Sequence, residues 1–232
     1  GAPVVLSAST VPLTSYVLVQ PGLSNASGTG TQYSATSNEI TAFENYWYQN
    51  WQQYLFTASD LASMGLKAGN ITSMAFNIGA NPSPNTALSD YTVKIGNSPN
   101  SAISSFQTTG LTNVFGPSTV TSSTGINTIT FSTPYNWDGV SNIVVDLRMT
   151  GHFGSANATT QYTPTASNSV VYAYSLSSNT AFWSSIPATV YTSVNRPNII
   201  FGGQVEQSVP APLSYNWTPG NLTGSTVTVN PV

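Results

Sequence analysis

Gln52-Gln-Tyr-Leu-Phe-Thr57-Ala-Ser-Asp60-Leu-Ala-Ser-Met-Gly65-Leu-Lys-Ala-Gly69-Asn-Ile71-Thr-Ser-Met-Ala-Phe-Asn-Ile78 is the stretch on which the fold turns. It reads as a strand, one short helical turn near residues 58–64, and a second strand. Tyr54, Leu55 and Phe56 form an apolar run. Thr57 and Asp60 have capping-box spacing, in which a hydroxyl takes the N3 amide and a carboxylate returns to the N-cap amide. Gly65 and Gly69 can adopt the positive φ that stops such a turn. From Ile71 to Ile78 the chain is extended again. The stretch sets the architecture and carries no chemistry of its own.

Working outward, short runs of apolar and β-branched residues recur between turn signals. Towards the N-terminus, Pro3–Leu6 and Ser15–Val19 read as strands, Asn25–Thr31 as loop, and Ile40–Trp51 as the most aromatic stretch of the chain. Beyond Ile78 comes a turn cluster, Gly-Ala-Asn-Pro-Ser-Pro-Asn. Tyr91–Gly96 then alternates with period two, as a half-buried strand does. Leu111–Gly116 and Gly125–Ser132 are further strands, the latter with Ile126 on the face opposite Ile129 and Phe131. Pro134–Gly139 reads as a turn with an embedded tryptophan. Ser141–Met149 is continuous enough to be a central strand. Residues 154–169 read as polar loop. Val170–Ser175 and Pro197–Val205 are strands around a variable segment at Phe182 and Trp183.

Strands at these intervals, with no sustained 3.6-residue period, predict an all-β protein. The expected form is a jelly-roll-like antiparallel β-sandwich carrying the one helical turn. Pro210-Ala-Pro marks a semi-rigid linker over 208–212. It divides a sandwich of residues 1–207 from residues 213–232, which read as part of an immunoglobulin-like module or as closing strands, too short for a complete domain.

Composition narrows the function classes. Apolar residues make up 40% of the 232, so the chain can bury a core; charged residues make up only 5%, against roughly a quarter in ordinary soluble domains. A net charge of −3 leaves no basic stripe for nucleic acid or an anionic membrane. No apolar run approaches the roughly 20 residues that span a bilayer. Cysteine is absent, so the core holds the fold without staples. Any export signal is expected to be removed or to lie outside this sequence. A surface rich in Ser, Thr and Asn and poor in Lys and Glu predicts an extracellular location.

Five segments also carry a family resemblance in the order in which they occur. They are Gln53–Leu61, Gly65–Ile78, Tyr91–Gly96, Ile129–Asp146 and Asn195–Gly202. Together they resemble a β-sandwich module of large secreted and cell-surface, adhesin-like proteins of Bacteroidota exported by the type IX secretion system. The likeness covers about residues 40–203, and Leu213-Ser-Tyr-Asn-Trp-Thr-Pro resembles the start of an immunoglobulin-like repeat from such proteins. What it implies is surface display in a modular polypeptide, with neighbouring domains of the same chain as partners. It brings no catalytic residue with it.

Read for chemistry, the residues point the same way. His152 is the one histidine, so any Ser-His-Asp hydrolase would have to use it, and no Gly-x-Ser-x-Gly surrounds a serine. Of the seven acidic residues, Asp60 reads as a cap, Asp138 as a turn residue, and Asp146 as a strand residue paired with Arg148 or Arg196. Glu39, Glu44 and Asp90 remain the source of any carboxylate pair. Zinc lacks ligands. Calcium takes oxygen donors, for which Asn136, Asp138 and Asn142 are the candidates, with turn capping as the competing reading. Tyr46, Trp47, Tyr48 and Trp51 are the candidate ligand-binding residues, as aromatic faces for sugar rings. If they lie on a strand, Trp47 and Trp51 share one face and Tyr46 and Tyr48 the other, and the competing reading packs the two tryptophans into the core. Trp137 and Trp183 are weaker candidates.

The expectation is therefore a non-catalytic module serving adhesion or surface display, touching glycans or surfaces, with no required cofactor. Two alternatives stand beside it: a carbohydrate-binding module attached to a secreted enzyme, and a filament subunit joined by strand addition.

Overall fold

The computed structural model describes residues 4–7, 16–19, 31–32, 41–80, 85–152, 157–204, 216–217, 222–223 and 226–229. The chain divides into two compact units, one of residues 16–205 and one formed by residues 1–15 with 206–232. In the smaller unit, β1 (Val4–Ser7) pairs antiparallel with the last strand, Thr226–Val229, and Asn216–Trp217 pairs with Leu222–Thr223. The N-terminal strand thus falls in the same unit as the C-terminal segment. Asn25–Gly30 of the expected loop and the Pro210-Ala-Pro linker lie outside the described residues.

The larger unit is an antiparallel β-sandwich. After β2 (Tyr16–Val19) and β3 (Thr31–Gln32) come β4 (Gln49–Phe56), α1 (Ala58–Ser63), β5 (Gly69–Ile78), β6 (Ala87–Ser98), β7 (Thr112–Thr121), β8 (Gly125–Trp137) and β9 (Asn142–Thr150). The unit closes with β10 (Thr160–Pro164), β11 (Val170–Ser175), β12 (Tyr191–Ser193), β13 (Asn195–Pro197) and β14 (Ile200–Gln204). One sheet has the order β12-β11-β4-β9-β6-β7. The other is built on β8-β5-β14-β2, with β3, β10 and β13 continuing it beyond Ile78. From β4 to β6, and again from β7 to β11, the chain passes from one sheet to the other and back, the habit of jelly-roll sandwiches.

The opening stretch makes the first of these crossings. Tyr54 and Phe56 face the space between the sheets, and α1 then carries the chain across with Leu61 and Leu66 buried beneath it. The capping box forms as its spacing predicts: the Asp60 amide donates to the Thr57 hydroxyl at 3.1 Å and the Thr57 amide to the Asp60 carboxylate at 3.0 Å. Gly65 follows at φ +86°, where an L side chain would be strained. Arg196 on β13 closes the site with a 2.9 Å ion pair to Asp60, its guanidinium lying 4.0 Å from the centroid of the Phe56 ring. Part burial works against the Asp60 charge, but the Arg196 guanidinium and the Thr57 donors outweigh it and hold the carboxyl below its ordinary value.

β9 is central, with β4 and β6 on its two sides. Its alternation feeds two cores, one on each face of its sheet. Ile143, Val145, Leu147 and Met149 join Tyr54, Phe56, Phe76 and Tyr91 between the sheets. Val144 turns the other way, with Trp51, Leu55, Val171 and Ala173, under a cover of Ile103, Phe106, Phe182 and Trp183. The 99–110 segment lies so close over β6 that a Cβ on Gly96 would run into the Gly110 carbonyl.

Two sequence expectations are corrected here. Pro134 does not begin a turn, because β8 continues to Trp137. In the β5–β8 register, Ile71 pairs with Tyr135 and Ser73 with Thr130, so residues 131–134 bulge out where no ladder hydrogen bond requires an amide donor. Within the expected loop 154–169, residues 160–164 form β10, which pairs with β13, with β3 and with the end of β5.

Candidate functional site

The aromatic stretch ahead of β4 is not itself a strand. Residues 46–48 form a bend, and β4 begins at Gln49. Side chains hold the bend where a ladder otherwise would. The Tyr46 amide donates to Asn157 Oδ1 at 2.8 Å and to Glu44 Oε1 at 3.1 Å, and the Asn45 amide donates to the same Asn157 oxygen at 2.6 Å. Asn50 Nδ2 donates to the Trp47 carbonyl, and the Gly151 amide to the Tyr48 carbonyl. The condition for Tyr46 and Trp47 to alternate across a sheet, that they lie on a strand, is therefore not met. They sit side by side, ring centroids 4.6 Å apart and planes at 88°.

From Trp47 a tier of rings crosses to the neighbouring strands. Trp47 stacks on Tyr174 of β11 at 4.1 Å and 11°; Tyr174 lies parallel to Tyr191 of β12 at 5.4 Å; and Tyr191 stacks on Tyr172 at 5.3 Å. Tyr172 and Tyr191 are cross-strand partners, and Tyr172 and Tyr174, two apart on one strand, share its face. Tyr46, Trp47, Tyr174 and Tyr191 are half-buried and reach solvent, whereas Tyr172 is buried. The Tyr174 hydroxyl donates to that of Tyr191, and this bond, with burial and the neighbouring charges, pushes the Tyr174 phenol up to about 12. The rings pack on one another, which leaves each little side-chain freedom.

Trp51 does not belong to this tier. It is 1% exposed on the far side of its sheet, stacked on Phe106 at 4.2 Å, with its indole N–H on Asp146 and the Arg148 guanidinium over its ring. Nor does it fill the space between the sheets, since it packs in the outer cluster. Tyr48 is half-buried at the end of the bend. Trp137 is core, its indole N–H donating to the Ser141 carbonyl. Trp183 is half-buried and donates to the Asn50 carbonyl.

Beneath the tier lies Glu44, 3% exposed. Burial raises its carboxyl to about 7, against the opposing pull of the Asn157 side chain and the Tyr46 and Thr41 backbone. It stands close enough to Tyr54 and Tyr174 for its charge to disfavour theirs. Sequence reasoning weighed Glu44 only as half of a carboxylate pair, and it missed Tyr172, Tyr174 and Tyr191. The alternation in Val170-Val-Tyr-Ala-Tyr hinted that two tyrosines share a face, but not what they face.

The candidate calcium ligands serve other ends. Asp138 Oδ1 accepts from the Val140 and Ser141 amides, and Oδ2 from the Ser141 hydroxyl and Asn97. These bonds, the Ser141 hydroxyl first, hold the carboxyl down at about 2. Asn142 Oδ1 takes the Ala58 amide at the start of α1, and Asn136 Nδ2 donates to Asn70. The three are turn, cap and cross-strand residues, not a converging oxygen set, and no cluster of three or more acidic, histidine or cysteine side chains occurs among the described residues. His152 is exposed, with its Nδ1 3.0 Å from Asn45 Oδ1.

Comparison of the chain with protein families, with curated proteins and with solved structures gives no match.

Proposed function

We propose that this is a non-catalytic module of a modular, extracellular bacterial surface protein, serving adhesion, and that its contact face is the aromatic tier Tyr46–Trp47–Tyr174–Tyr191. The observation that carries the reading is the tier itself: four rings, packed on one another, each partly open to solvent. Aromatic surface of this kind favours the apolar C–H faces of a sugar. A neutral saccharide suits a chain with four cationic side chains, two of which, Arg148 and Arg196, are engaged by Asp146 and Asp60. Of the five acidic residues among those described, four have structural work: Asp60 in a cap, Asp138 in a turn, Asp146 in a buried network, and Asp90 on the Thr150 hydroxyl. That supports a binding role over a hydrolytic one.

A panel of neutral oligosaccharides (cellohexaose, laminarihexaose, xylohexaose, mannohexaose and chitohexaose) titrated into the protein tests this. At least one should bind, and Trp47→Ala should weaken it about tenfold, or about 1.4 kcal/mol, with the fold intact. Activity on these sugars, lost on replacing an acidic residue, would remove the non-catalytic reading.

A further inference from the structure

We propose that Glu44 places the aromatic tier under proton control: the 41–48 loop holds Trp47 against Tyr174 when the Glu44 carboxyl carries its proton, and loosens when the carboxyl ionises. The inference rests on the tier as the contact face only for its consequence, that contact is stronger in acid surroundings.

The geometry is that of a carboxyl committed to a loop without a cation. Glu44 is nearly free of solvent. The groups that meet it are neutral: the Tyr46 amide and the Asn157 side chain, with the Thr41 backbone. Both the loop backbone and the tier begin at that contact, since Tyr46 leads into Trp47 and Trp47 stacks on Tyr174. These neutral donors offset only part of the desolvation of an ionised carboxyl buried this way, which otherwise reaches water by opening the loop. Burial raises the Glu44 carboxyl to about 7. A raised value means that the stabilising contribution is complete in acid and is lost as pH rises through that range.

The groups facing this carboxyl do not duplicate the switch. Tyr54 from β4, Tyr174 from β11 and Tyr91 from β6 (the last beside Tyr54) have phenols raised above their ordinary value by burial and neighbours, so they stay neutral. Asp90 on β6 engages the Thr150 hydroxyl with its carboxylate. His152, the one histidine of the chain, touches the loop through Asn45, so it must be separated by experiment.

The test follows the carboxyl 13C shifts of the three glutamates, Glu39, Glu44 and Glu206, in the full chain from about pH 4 to 9, together with the near-ultraviolet circular dichroism of the rings. The expected result is one glutamate titrating near 7, assigned to Glu44 by its loss in Glu44→Gln, with a ring signal that changes over the same range. That change should vanish in Glu44→Gln and persist in His152→Gln. A Glu44 carboxyl titrating in the ordinary glutamate range would overturn the proposal, as would a ring signal with the same pH dependence in Glu44→Gln. No saccharide enters this measurement, so failure of the oligosaccharide panel and failure of the proton switch are separate results.

Discussion

The Asp146 carboxylate has no solvent exposure, and three donors meet it: the Trp51 indole at 2.5 Å, the Gln53 amide at 2.7 Å and the Arg148 guanidinium at 3.0 Å. A buried charge is tolerated only when it is paired and hydrogen-bonded. Asp146→Ala would leave the Arg148 charge, the indole and the Gln53 amide without their acceptor. Equilibrium denaturation should show a loss of about 3–5 kcal/mol, the range for breaking a buried pair. Asp146→Asn, which keeps an acceptor oxygen, should lose less. Arg148 is one of the two partners the sequence offered, two apart on a strand and so on the same face, while the other, Arg196, pairs with Asp60. Trp51 and Gln53 were not legible there, because their meeting with Asp146 depends on the β4–β9 register, in which Gln53 stands opposite Asp146. Glu44 was illegible for the same reason: no local pattern says that a carboxyl beside a bend will be covered by residues far along the chain.

Among the elements, those whose period or cap is written in adjacent residues were readable. The strand–turn–strand of residues 52–78 formed as its pattern indicates, and β8 alternates as expected, with Ile129 and Phe131 buried and Ile126 48% exposed. Ile129→Ala should therefore cost about 2–5 kcal/mol and Ile126→Ala no more than about 0.5 kcal/mol, read by denaturant midpoint at unchanged slope. Elements that owe their form to partners were misread. Pro134 sits in a strand because a bulge accommodates it, and Thr160–Pro164 becomes a strand because β13, β3 and β5 offer it edges. The tier itself joins a bend, β11 and β12, three places far apart in the sequence. The aromatic stretch told of rings but not of the rings they would meet.

For the whole molecule, the acidic groups set opposite limits on stability. Glu44, raised, contributes most below its ordinary value of 4.5 and loses that contribution as pH rises through about 7. Asp60 and Asp138, lowered, contribute above their ordinary value of 3.8 and lose it as pH falls. The melting temperature should thus be highest at about pH 4 to 4.5, between those ordinary values, and fall on both sides, with the alkaline limb flattened in Glu44→Gln. A chain with so few charges leaves recognition to polar and aromatic surface, and the account places that surface at one tier. The most direct test of that claim is the set of tryptophan indole N–H resonances, followed while cellohexaose, laminarihexaose, xylohexaose, mannohexaose and chitohexaose are added in turn. The account predicts that one of these sugars shifts the Trp47 resonance progressively and leaves Trp51 and Trp137, buried on Asp146 and Ser141, in place. A saccharide that binds while Trp47 stays still, or none that moves Trp47 at all, would contradict it.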